Sequence, residues 1–143
     1  MTKDMPPPPL CLALVMADAM HRDPGTGKLY ILGTFSTIFA SSFPSTHPLM
    51  TVYAVLTDGR GKIPIRLVIV PVEDDTDPLA DAKGELEFSD PRMVVEVSLG
   101  LPGVTFPCPG EYRVQLLAGE ELLMERRLMV IHATPSNEEQ ENV

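Results

Sequence analysis

Short runs of side chains that alternate apolar and polar, each closed by glycine or proline, leave this chain few ways to fold. Successive side chains of an extended strand point to opposite faces, so alternation makes one face apolar, and that face has to be covered. Leu49 to Thr57 sets Met50, Val52, Ala54 and Leu56 against Thr51, Tyr53, Val55 and Thr57. Arg92 to Leu101 sets Met93, Val95, Val97 and Leu99 against Val94, Glu96 and Ser98, and Gly84 to Phe88 sets Leu86 and Phe88 against Glu85 and Glu87. Beyond Pro109-Gly110, Tyr112, Val114 and Leu116 fall opposite Arg113 and Gln115. About seven or eight such stretches predict an all-β fold, a two-layer antiparallel β-sandwich of immunoglobulin-like or related Greek-key topology.

The remaining stretches fit that frame. Leu10 to His21 is apolar on both parities until Asp18, as a central strand covered on both sides would be. Asp23-Pro24-Gly25-Thr26-Gly27 is tight-turn chemistry, and Lys28 to Ala40 behind it is rich in β-branched and aromatic residues, so a β-hairpin is expected. Ser41 to Pro48 reads as a crossing loop. Asp58-Gly59-Arg60-Gly61 then predicts a second hairpin, joining the strand that ends at Thr57 to Ile63–Val72. Leu122 to Ile131 forms the last strand, but the parity that buries Leu122, Met124, Leu128 and Val130 also buries Arg126. An unpaired buried charge is costly, so either a bulge near Glu125 to Arg127 or an edge position with the guanidinium at solvent is expected.

With 143 residues the chain suits one domain. The expected divisions are a flexible Pro-rich arm at 1–9, a sandwich at 10–132 and a disordered acidic tail at 133–143. The net charge of −9 repels phosphate backbones and argues against a nucleic-acid partner. Leu10 to Met16 followed by Ala17-Asp18-Ala19 imitates a secretory leader, yet Asp4 cancels Lys3, Pro6 to Pro9 precede the apolar run, and the run is too short to cross a bilayer. A cytoplasmic protein without a membrane partner is expected. Cys11 and Cys108 are then two reduced, largely buried thiols, with a single bridge as the alternative.

Motifs that carry chemistry are incomplete. Gly25-Thr26-Gly27-Lys28 resembles the end of a phosphate-binding loop, but Arg22 stands where the first glycine belongs and Leu29 where Ser or Thr belongs. Asp74, Asp75 and Asp77 are the candidate metal ligands, as hard oxygens for Ca²⁺; Leu79 at the next ligand position breaks the EF-hand spacing, so a solvated acidic loop is the expectation. His21, His47 and His132 are isolated, without zinc-ligand spacing. Asp18, inside an apolar strand, needs hydrogen-bond partners or solvent, and loop amides are the expected ones. Cys108 stands between two prolines without a basic neighbour, and no Gly-x-Ser-x-Gly elbow is present. No catalytic residue, cofactor or enzymatic activity is expected.

The succession Lys28-Leu29-Tyr30-Ile31-Leu32-Gly33-Thr34-Phe35, then Phe43-Pro44, then Pro109-Gly110-Glu111-Tyr112-Arg113-Val114, resembles a family of uncharacterised bacterial β-sandwich domains over roughly residues 10 to 131. The resemblance implies a fold and no activity. Gly110-x-Tyr112 also resembles the corner of immunoglobulin-like sandwiches, where the tyrosine hydrogen-bonds nearby backbone, although no Trp is present for such a core. The leading functional expectation is a non-enzymatic interaction or structural module with a protein partner, a second copy included, acting through sheet edges. The alternative is a small-ligand or carbohydrate-binding sandwich using Tyr30, Tyr53, Phe35, Phe39 or Phe43, and it calls for Tyr30 and Tyr53 to line one open groove.

Overall fold

In a computed structural model, which describes residues 7–73 and 77–134, Asp23 closes the first turn by accepting hydrogen bonds from the Gly25 amide and the Thr26 hydroxyl, both at 3.0 Å. That turn joins β1 (Leu10–Arg22) to β2 (Leu29–Thr34) as an antiparallel hairpin with His21 opposite Tyr30. The other strands are β3 (Thr37–Ala40), β4 (Ser45–Thr57), β5 (Gly61–Pro71), β6 (Ala80–Phe88), β7 (Val94–Phe106), β8 (Gly110–Ala118) and β9 (Glu121–His132). They make two sheets, β2-β1-β4-β7 and β3-β9-β8-β5-β6, antiparallel throughout except that β3 runs parallel to β9. Among the described residues no helix is present. The fold is the expected all-β sandwich, with nine strands among the described residues.

The two inner faces meet in one core. Met16, Met50 and Leu56 from the first sheet and Leu67, Ile69, Val114, Leu116 and Leu128 from the second have no exposed surface. Burying a large aliphatic side chain contributes about 1.5–3 kcal/mol, so this layer is the main source of stability. Phe106 of β7 meets Tyr112 of β8 edge to face, their ring centroids 5.0 Å apart, which locks the layers at one end. The inward sets Val95, Val97, Leu99 and Tyr112, Val114, Leu116 lie where alternation places them, whereas Met93, just before β7 begins, is exposed.

Several expectations are corrected. β4 and β5 are not a hairpin: β4 pairs with β1 and β7, whereas β5 pairs with β6 and β8, so Asp58–Arg60 carries the chain from one sheet to the other. The single strand over Lys28 to Ala40 is broken at Phe35-Ser36, just beyond Gly33 at φ 73°, and its second part leaves for the other sheet as β3. Ser45–Pro48 belongs to β4, leaving 41–44 as the crossing segment. The last-strand bulge falls opposite Leu116 and Leu117, where Leu123 is skipped, rather than at 125–127, and Leu122 beyond it is exposed rather than inward. Arg126 instead lies at an edge position, half-buried, on a part of β9 that β3 does not cover. Cys11 and Cys108 are both free, which removes the bridge, but Cys108 is exposed. At the end of the Pro-rich arm Pro7 and Pro8 are exposed and Pro9 is buried; residues 1–6 and 135–143, which hold the start of the arm and most of the acidic tail, lie outside the described residues.

Candidate functional site

The two outward faces of the sandwich differ in chemistry. Outward parity on the second sheet gives Glu111, Arg113, Gln115, Glu125, Arg127, Arg66 and Asp81, and they bind one another. Arg113 bridges Glu111 and Glu125, both at 2.7 Å; Arg127 adds a contact to Glu111 at 3.0 Å; Arg66 grips Asp81 through two nitrogens. The Arg113 and Arg127 guanidiniums hold the Glu111 carboxyl below the usual carboxylate range, and Arg66 does the same for Asp81. This face satisfies its own charges and leaves little for a partner.

The first sheet is nearly uncharged outside. Register places Ala13, Val15, Ala17 and Ala19 of β1 beside Tyr30, Leu32 and Thr34 of β2, with Thr51, Tyr53 and Val55 of β4 and Val94, Glu96 and Ser98 of β7. Tyr30 and Leu32 are each 51% exposed and Val94 60%, values high enough to offer apolar contact area. Glu96 is the one carboxylate of this set, and the Tyr53 hydroxyl donates to it across the strands. Burial first, then Glu96, pushes the Tyr53 pKa up to about 12, so the phenol keeps its proton and remains a donor. β1 and β4 stop pairing after Ala17–Thr51, and Met20 beyond that point lies with its sulfur 3.3 Å from the Ser98 hydroxyl.

A groove of about 370 Å³ opens on that hairpin, lined by His21, Asp23, Tyr30 and Leu32. Tyr53 stands two strands away from Tyr30, on β4. The two tyrosines therefore do not share this groove, as the ligand-binding alternative would need. A larger one of about 660 Å³ runs between Pro7–Pro9, the start of β5 and the β8–β9 turn. Phe39, 68% exposed, stands on β3 opposite Ile131.

The other residues singled out by sequence fall apart in space. Asp18 is exposed rather than enclosed, with no hydrogen bond to a loop amide among the described residues; its carboxylate instead fills the space over Gly33. Tyr112 is buried and its hydroxyl donates to the Cys108 carbonyl, while Gly110 begins β8. Asp74 and Asp75 lie outside the described residues, and Asp77 is exposed. Among the described residues no three His, Cys, Asp or Glu side chains gather as metal ligands would. His21, His47 and His132 each sit against a different aromatic ring, Tyr30, Phe35 and Phe43. Sequence reasoning missed the contrast between the faces, which needs strand order to see.

These features define a two-layer β-sandwich with one charge-laced and one nearly uncharged outward face. Residues 12–131 match the family of unknown function DUF6941, and the chain belongs to that family. No curated protein matches it in sequence. Solved structures similar to it include β-glucosidase 3B from Thermotoga neapolitana in complex with glucose (18% identity, TM-score 0.44, 72% of this chain and 17% of that one). β-Glucosidase from Kluyveromyces marxianus is similar to the same degree (16%, 0.43, 71% and 15%). The chain thus spans about a sixth of the length of these glucosidases. An immunoglobulin-like protein from Pseudomonas aeruginosa is similar over nearly its whole length (14%, 0.39, 88% of this chain and 98% of that one).

Proposed function

We propose that this domain is a non-enzymatic protein-interaction module of the bacterial cytoplasm, binding through the first sheet. The observation that supports it is the contrast between faces: Tyr30, Leu32 and Val94 stand exposed on a sheet whose outward positions carry almost no charge. Exposed apolar area rimmed by polar residues marks association surfaces more often than solvated ones. Among the described residues no helix is long and apolar enough to cross a membrane. Capture of partners from native cells by the tagged chain tests the reading. The wild type and Lys83→Glu, on the opposite sheet, retain the same partner, and Leu32→Glu loses it. A partner retained equally by all three, or none recovered, overturns it.

The groove beside Tyr30 supports a second reading, a small-ligand or carbohydrate-binding sandwich. A sugar or small aromatic ligand raises the melting temperature in that case. A panel that leaves it unmoved for the wild type removes this reading.

A further inference from the structure

We infer that the free edge of β7 pairs antiparallel with the same edge of a second copy, joining two four-stranded sheets into one of eight strands. This rests on the interaction-module reading and names its partner. The four edge strands are β2, β7, β3 and β6. An unpaired strand edge is a template for another strand unless it is short, charged, or interrupted by proline or a twist. β2 has 6 residues and ends at Thr34; β3 has 4. β6 is guarded by exposed Lys83, Glu85 and Glu87. β7 is different: it runs for 13 residues, and only its second half is interrupted, by Pro102 and by Gly103 at φ 64°.

Val94 to Gly100 carries neither proline nor a basic residue. Its single charge, Glu96, is drawn onto its own sheet by the Tyr53 hydroxyl and so does not guard the edge. Val95 and Leu99 point inward yet stay half-buried, because among the described residues no strand lies beyond β7 in the sheet, while Val97 between them is buried. A two-fold axis through Val97 sets Val97 against Val97 and Val95 against Leu99, closing that open side with apolar contacts. It also sets Glu96 against Ser98, so each carboxylate faces a hydroxyl. A register centred on Glu96 sets two carboxylates face to face in a chain already at −9, and like charges directly opposite are destabilising. The Val97-centred register is therefore the one the side chains select.

Ser98 is exposed, so its substitution leaves the monomer able to fold, and circular dichroism checks this for each variant. Sedimentation equilibrium of the full chain gives a concentration-dependent dimer for the wild type. Ser98→Glu places like charges opposite each other twice per dimer and weakens it roughly ten-fold. Ser98→Lys, which faces Glu96 with a cation, is not weakened. A wild type monomeric at its highest soluble concentration, or a dimer that Ser98→Glu leaves unchanged, overturns the pairing. If the chain is monomeric but still captures a Leu32-dependent partner, the pairing fails while the interaction-module reading stands; with neither dimer nor partner, both fail.

Discussion

Arg126 on β9 donates a hydrogen bond across the sandwich to the main-chain carbonyl of Leu14 on β1, 2.5 Å away. The Met16 carbonyl, two residues on and so on the same side of β1, is taken by the Phe35 amide as the chain leaves β2. β2 pairs with β1 only from Ala17 onward, so Leu14 has no strand neighbour on that side and the guanidinium takes the place of one. Its second nitrogen reaches the Ser36 hydroxyl at 3.2 Å. Arg126→Ala removes both contacts and leaves a partly enclosed carbonyl unsatisfied, a loss of about 1–3 kcal/mol in urea unfolding. Arg126→Lys keeps one donor and loses less. An alanine variant as stable as the wild type contradicts this role.

The same residue shows how far the sequence reaches. Parity made Arg126 a conflict and pointed to an edge position, because a period of two specifies which side chains share a face. It does not specify which strand is the neighbour. Asp58-Gly59-Arg60-Gly61 therefore reads as a hairpin turn while in fact it links two sheets, and Lys28 to Ala40 reads as a continuous strand while in fact the chain changes layer at Phe35-Ser36. The alternation points to a bulge at 125–127 while the chain places it at Leu123, since a bulge shifts parity without altering composition. The nearly uncharged outward face of the first sheet assembles residues from four strands and becomes visible only when β2, β1, β4 and β7 are set side by side.

Gly33 carries two demands at once. Its φ of 73° suits glycine, and a Cβ there would stand 2.6 Å from the Asp18 carboxylate. Gly33→Ala costs about 1–2 kcal/mol from the backbone alone, with the clash in addition. Asp18→Ala in the same chain recovers the clash and not the backbone strain. Full recovery of the wild-type melting temperature by the double variant contradicts the assignment.

Alkaline stability reports on Tyr112. Burial first, then the Cys108 side chain, pushes its pKa up to about 12, against an unfolded value of about 10. A folded-state pKa above the unfolded one contributes stability that is complete below about pH 10 and is lost as pH rises through about 12. Tyr53 acts in the same direction. Tyr112→Phe is less stable at neutral pH by about 1 kcal/mol and loses less than the wild type between those two pH values. Equal losses for both proteins in denaturant titrations across that window contradict it.

The two thiols separate by reactivity. Cys108 is exposed, whereas Cys11 is buried and its pKa is raised by that burial. Only the thiolate reacts with alkylating agents, so Cys108 is modified first in the native protein and Cys11 only on unfolding. Mass spectrometry of native alkylated peptides reads this directly. Rapid labelling of Cys11 without denaturant shows that the start of β1 is not packed as described.

The openness of β7 is what the functional account depends on most, and residue-resolved amide hydrogen exchange measures it. Amides of a strand point alternately to either side, so within Val94 to Gly100 every second amide bonds to β4 and the others face outward. In dilute solution the outward set exchanges fast while the β4-facing set is protected, and the outward set gains protection as concentration rises. Uniform protection of both sets at low concentration contradicts an open edge there.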